Sequence, residues 1–300
     1  MDAAEPASVT GEPQLDHPLV RSRLTNGGGL VGLPLVYLPV VGSTNDVAGE
    51  MACTGASHGT TVVADVQTAG RGRRGKAPWQ SPPGGSIAMS VILRLQSVAP
   101  ERLGRIAIAV AVAVGDAIAA ATGLRTSVKW PNDIVTGSTG DGETVRKLGG
   151  ILIEPALGHD SDGTPVMFHA VVGIGINANV PVSRFWSMGE ASLAPTSLSG
   201  ELGGPVSREG LIVEVLRALD HVGAMCSDMG WIETRQRYEA RLAWRGRTVV
   251  LGFPVEGHSS SRRPVNGELV GIDGSGALML RHQSGALHAF HDGEVRVRTT

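Results

Sequence analysis

Apolar residues cluster in short β-branched runs between longer helix-like segments through the first part of the chain. The runs are "LVYLPV" from Leu35, "TTVVADV" from Thr60, "SIAMSVILRL" from Ser86 and "MFHAVVGIGIN" from Met167. β-Branched runs of this length between turn residues predict strands. Between them, Pro100 to Thr122 and Arg208 to Met225 have helical length and spacing. "WIETRQRYEARLAW", from Trp231, predicts an amphipathic helix with Arg235, Arg237 and Arg241 on its polar side. Strands and helices therefore intermingle, which predicts one large α/β (α+β) domain with a mixed sheet over residues 33–244. After Arg245 the texture changes to short strands with Gly-rich turns: "RTVVLG", "NGELVGID", "GALMLRH" and "GALHAFHDGEVRVR". "DGSG" between the second and third is a hairpin-turn signal, and "GHSSSRRP" is expected as an exposed loop. Residues 245–300 are thus expected to form a small β-barrel. Residues 1–32 mix Pro, Gly, Ser and charges without periodicity and are expected to be a flexible tail.

The longest apolar stretch, Ile106 to Gly115, stops at Asp116 and is too short and Ala-rich to span a bilayer. It reads as a buried helix, and no membrane partner is expected. Asp2 and Glu5 stand where a secretory signal would carry positive charge. Cys53 and Cys226 lie far apart without metal or disulfide spacing, so a reducing cytoplasm is the expected location. A net charge of −2 gives no bulk attraction to nucleic acid, so anion binding must come from a local cluster. Arg71, Arg73, Arg74 and Lys76 form one.

That cluster lies in "TAGRGRRGKAPWQSPPGG", where Gly70, Gly72 and Gly75 match a dinucleotide fingerprint. The third glycine of such a site must open a helix whose N-terminus holds pyrophosphate. Pro78, Pro82 and Pro83 prevent that helix, and the acidic residue expected some twenty positions on is missing. What remains is a supple cationic loop with forked donors for phosphate or carboxylate oxygens. A solvated basic turn or an RNA-binding arginine–glycine segment is the plainer alternative, although such segments are usually repeated. "GSTND" from Gly42 reads by itself as a capping box of Ser43 with Asp46. "KWPND" from Lys129 sits at a strand end, "KLGGILIE" from Lys147 opens a strand with a lysine and two glycines, and "VVGIGINAN" from Val171 has glycines inside a strand. Interior glycines weaken a strand unless something approaches closely.

In this order, "STN", "QTAGRGRRG" followed by a tryptophan and "SP", "KWPND", "KLGGIL" and "GIGIN" resemble the biotin protein ligase family from about Leu35 to the C-terminus. The β-rich end is similar to the SH3-like barrel that closes those enzymes. The resemblance implies an enzyme that activates biotin with ATP and Mg2+ and holds biotinyl-5′-adenylate. It then transfers biotin to a lysine of a biotin carboxyl carrier domain of a carboxylase. A family member without an N-terminal DNA-binding domain is implied to have ligase activity alone and no DNA partner, as a monomer or weak homodimer. Two anions must be brought together in that reaction, so fixed cations are needed; Arg71, Arg73 and Lys147 are implied for that work. Ser43, Thr44, Asn45 and Gln67 match positions around biotin, with Gly70, Gly72, Gly149, Gly150, Gly173 and Asn177 completing the implied biotin and adenylate site. Asp133, with Asn132, is implied to contact magnesium or to accept the lysine proton. Trp79 or a residue of "SRFW" is left to stack on adenine. Lys76 stands where arginine is common, one extra residue precedes Trp79, and "TGSTGDGETVR" from Thr136 is longer than usual. A lipoate or octanoyl ligase is the nearest rival reading. A nucleic-acid-binding module, marked by steep salt dependence, is a more distant one.

Overall fold

The computed structural model describes residues 14–73, 79, 82–137, 145–185, 193–253 and 263–297. The four β-branched runs form strands as expected, β1 (Leu35–Val41), β2 (Thr61–Gln67), β3 (Ser86–Val98) and β7 (Pro165–Asn177), with β4 (Ser127–Lys129), β5 (Asp133–Thr136) and β6 (Arg146–His159) between the last two. They make one seven-stranded sheet in the order β1-β2-β3-β7-β6-β5-β4. Only the β1–β2 pair is parallel, so the sheet is mixed. A parallel pair needs a crossover, and the helix following β1 supplies it.

The helices are α1 (His17–Thr25), α2 (Thr44–Cys53), α3 (Leu103–Thr122), α4 (Val182–Phe185), α5 (Leu198–Leu202), α6 (Arg208–Leu219), α7 (Val222–Cys226) and α8 (Asp228–Arg241). Side chains alternate between the two faces of a strand, and the register of β3 on β7 sets Met89 opposite Ile174 and Ser90 opposite Gly173. One face, with Ile87, Met89, Val91, Val172, Ile174 and Ile176, joins the main core with α3 and α6. The other face meets α2 alone in a small cluster of Ala48, Ala52, Val62, Ile92 and Val171. Beyond α2 that second face carries Ser90, Gly173, Gly175, Gly150 and Glu154, the residues of the candidate site's floor. α3 is long and apolar enough by composition to cross a membrane. Its burial from Ile106 to Ile118 in the centre of the core accounts for that composition.

The C-terminal strands β8 (Thr248–Gly252), β9 (Val265–Ile272), β10 (Leu278–Arg281), β11 (Leu287–Phe290) and β12 (Glu294–Val297) form a second, all-antiparallel sheet in the order β11-β10-β9-β8-β12. The "DGSG" turn forms because Asp273 Oδ1 accepts from the backbone N–H groups of Ser275 and Ala277. That turn docks on the first domain: Trp130 Nε1 donates to the Gly276 carbonyl at 3.2 Å and Arg105 Nε to the Gly274 carbonyl at 2.9 Å. Most of "GHSSSRRP" lies outside the described residues.

Three expectations need correction. Residues 14–32 are not a tail: Asp16 caps α1 by accepting from the Leu19 N–H, and Leu15, Val20, Leu24 and Val31 are buried against the main core. Residues 1–13 lie outside the described part. The helix expected from Arg208 to Met225 ends at Leu219, because the Asp220 carboxylate turns to accept from the N–H groups of Leu30 and Val31. The last amphipathic helix begins earlier, at Asp228 behind its Ser227 cap. It ends at Arg241, where Leu242 leaves to bridge Val128 at the sheet edge.

Candidate functional site

At the start of α2 the backbone N–H and hydroxyl of Thr44 both donate to Gln67 Oε1, at 2.8 and 3.0 Å. Ser90 Oγ, rising from the sheet, lies 2.7 Å from Thr44 Oγ1 and 2.6 Å from Asn45 Oδ1. Asn45 Nδ2 donates to Glu154 Oε2 at 2.8 Å. The result is a buried corner of neutral hydrogen-bonding groups. Two glycines on the floor make it possible: a Cβ at Gly173 would stand 2.2 Å from Asn45 Oδ1, and one at Gly175 would stand 2.6 Å from the Trp79 ring. Ser43 occupies the N-cap position, but its side chain makes no capping hydrogen bond. The capping box spelled by Ser43 and Asp46 is therefore not formed, and Asp46 pairs with Arg71 instead.

The Trp79 N–H donates to the Gly70 carbonyl at 3.0 Å. The Trp79 Nε1 proton is buried with no hydrogen-bond partner among the described residues, at the edge of the floor. Arg71 reaches Asp46 with one nitrogen, and with the other it meets both oxygens of Glu154 at 3.0 and 3.2 Å. Arg73 Nη2 lies 3.9 Å from Asp292 of the second domain. Arg74, Gly75 and Lys76 lie outside the described residues, as do residues 138–144 of the long insertion and Trp186 of "SRFW".

At the other end of the same face, Lys147 Nζ lies 2.7 Å from Asp133 Oδ1, and both flank Gly150. Lys129 is almost fully buried, 3.8 Å from Asp133 Oδ2 and 3.3 Å from Glu294 Oε1 of β12. The cis Trp130–Pro131 bond turns the chain between Lys129 and Asp133, which pair across the β4–β5 hairpin. Tyr238 of α8 is fully buried; burial, and then the Asp133 charge, push its phenol well above the ordinary tyrosine range.

Several expected residues also make contacts within the fold. Asn132 Nδ2 donates to the Ile151 carbonyl at 3.1 Å and so serves to fasten β6. Asn177 Nδ2 donates to the Thr196 carbonyl at 2.9 Å. Its role is to hold the 193–197 segment, whose Ala194 and Thr196 backbones bond the Lys147 backbone. Gly149 permits close strand approach, since a Cβ there would stand 2.5 Å from the Gly175 carbonyl. Sequence reasoning missed Ser90, Glu154, Lys129 as a buried charge, and Glu294. Ser90 and Glu154 had a signal: each is a polar residue in or ending an otherwise apolar strand, on the face that carries the glycines.

Among the described residues no group of three His, Cys, Asp or Glu side chains could hold a metal ion. Asp133 lies between two ammonium groups, and Asp46 and Glu154 share a guanidinium. These carboxylates do not build a cation cage.

Residues 37–177 match the model of the Biotin/lipoate A/B protein ligase family. The chain is 33% identical over 258 residues to the bifunctional ligase/repressor BirA of Bacillus spizizenii, covering 85% of this chain and 72% of that protein. It is 33% identical over 248 residues to the biotin--[acetyl-CoA-carboxylase] ligase of Paracoccus denitrificans, covering 81% and 92% respectively. Among solved structures, the biotin protein ligase from Aquifex aeolicus in complex with biotin and ATP has a TM-score of 0.66 at 24% identity. That match covers 89% of this chain and 99% of the other.

Proposed function

The chain belongs to the biotin protein ligase family, and from that premise we propose that its open sheet face is where biotin and ATP react. The activity is ATP-dependent biotinylation of protein, and the partner is a biotin carrier. The carrying observation is the polarity of the floor: a buried neutral corner around Asn45, Ser90 and Thr44 at one end, and the Lys147–Asp133 pair at the other. On β6 the two ends are separated by the four residue steps from Gly150 to Glu154, about 13 Å of strand. Biotin's uncharged ureido ring suits the first end, and its carboxylate is directed toward the second.

In the first step a carboxylate oxygen of biotin attacks the α-phosphorus of ATP and pyrophosphate leaves, giving biotinyl-5′-adenylate. The two reactants repel each other, so Lys147 and Arg71 are assigned to offset that repulsion and the charge that develops. Asp133, at 2.7 Å, orients the Lys147 ammonium. That positioning role is preferred here to magnesium contact, because two lysines already face the carboxylate. Magnesium is expected to arrive on the nucleotide's phosphates, as it commonly does when a protein offers no cage of its own. In the second step a carrier lysine amine attacks the acyl carbon and AMP leaves. Cys53 and Cys226 are free thiols, in keeping with the cytoplasmic location proposed for the protein.

Purified protein with biotin and ATP is expected to release pyrophosphate and to label a biotin carrier domain. Success with lipoate or octanoate in place of biotin, and failure of biotin, would overturn the assignment of substrate. A finer test concerns the floor. Gly173→Ala places a methyl group against Asn45 Oδ1, and Asn45 is held on its other side by Ser90 and Glu154. The crowding costs about 1–3 kcal/mol, expressed as a roughly five- to hundredfold weaker biotin affinity by calorimetry, since about 1.4 kcal/mol is tenfold.

A further inference from the structure

Both cations assigned to the charged end of the ligand already have carboxylate partners: Lys147 has Asp133, and Arg71 has Asp46 and Glu154. The two arrangements differ in place. Lys147 sits beside Gly150, whereas Arg71 is held by Glu154, four residues further along β6 and beside the neutral corner. Hydrogen bonding, to Asp46 first and then to Glu154, outweighs desolvation and holds the guanidinium proton more firmly than usual. Among the described residues two carboxylates engage this one guanidinium. An approaching carboxylate or phosphate is repelled there unless the arginine turns toward the ligand. The side chains of Arg71, Asp46 and Glu154 are each roughly half exposed, at 42%, 50% and 42%, so the exchange is open to the solvent side.

We propose that Asp46 and Glu154 form a resting berth for Arg71, from which the anionic ligand draws it toward Lys147. This rests on the reading that Arg71 contacts the charged end of the ligand. The berth lowers the apparent affinity for ATP in the free enzyme, because each exposed pair must be given up on binding. Glu154 has a second part in it. Its Oε2 also accepts from Asn45 Nδ2, so one carboxylate joins the wall of the neutral corner to the cation of the glycine loop.

Asp46→Asn and Glu154→Gln separate the parts, since the glutamine keeps an oxygen to accept from Asn45. An exposed pair is worth little, so pyrophosphate release at saturating biotin should show KM for ATP falling only about threefold in either variant. The change in KM should exceed that in kcat. Arg71→Ala should raise KM for ATP, and adding Asp46→Asn to it should then change nothing, because the berth has lost its occupant. An unchanged or raised KM in both Asp46→Asn and Glu154→Gln, with Arg71→Ala still impaired, overturns the berth and leaves the site assignment standing. An Arg71→Ala enzyme with normal KM and kcat overturns both.

Discussion

Replacing Lys147 with alanine lowers the rate of biotinyl-adenylate formation by about a hundred- to a thousandfold, the scale on which one preorganised charge-stabilising donor acts. Lys147 is the cation nearest the glycine-lined floor on the Asp133 side, and its ammonium is held in place by Asp133 at 2.7 Å. Alanine removes the charge and leaves the strand intact: the Lys147 backbone keeps its bonds to Ala194 and Thr196, and the side chain is partly exposed. The fold should therefore survive, and equal far-UV spectra and urea midpoints would show it. The loss should fall on the first step. Supplied with preformed biotinyl-adenylate, the variant should label a carrier at a rate much nearer the wild type, because the phosphoryl charge that Lys147 offsets has already been made. Lys147→Arg should recover part of the activity, as it restores charge but not the reach of a single ammonium. Pyrophosphate release within twofold of wild type in Lys147→Ala would sink the role given to this residue.

How far the sequence discloses this molecule depends on the range of the interaction. The β-branched apolar runs at Leu35, Thr60, Ser86 and Met167 reveal their strands because composition and length are written locally, and "DGSG" reveals its turn for the same reason. The glycines of "GIGIN" are legible as a place of close approach, which Asn45 and Trp79 now occupy. What escapes is contact between distant segments. Asp46 spells a helix cap with Ser43 but pairs with Arg71, 25 residues on. Lys129 and Glu294 meet across 165 residues, and no local pattern announces either. Asn132 and Asn177 look like ligand groups by type, yet each finds a backbone carbonyl. α1 escapes because only Val20 and Leu24 of its nine residues are buried, too few to mark a periodic face.

The same long-range logic governs stability around that first helix. Asp65, inside β2, is a buried carboxylate that accepts from Arg208 Nη1 at 2.6 Å, from the Tyr37 hydroxyl at 2.5 Å and from the Leu15 N–H at 3.2 Å. Burial, and then the hydrogen bond to Asp65, push the Tyr37 phenol well above its ordinary range, so that hydroxyl remains a donor. His17 stacks on the same ring with centroids 4.5 Å apart. One side chain thus joins β1, β2, α6 and the N-terminal segment. Asp65→Ala takes from the buried Arg208 guanidinium a carboxylate at 2.6 Å, and removing one partner of a buried pair costs about 3–5 kcal/mol. Urea unfolding should show that loss, and trypsin should cut more readily after Arg21 and Arg23 as α1 loosens. A double variant, Asp65→Leu with Arg208→Leu, should regain part of the stability, because it buries no lone charge. Asp65 faces the core side of the sheet, opposite the floor that carries Ser90 and Gly173, so pyrophosphate release by the folded fraction should stay near wild type. A loss under about 1 kcal/mol would mean that the charge is readily resolvated. In that case residues 14–32 would be held chiefly by Leu15, Val20, Leu24 and Val31 in the core.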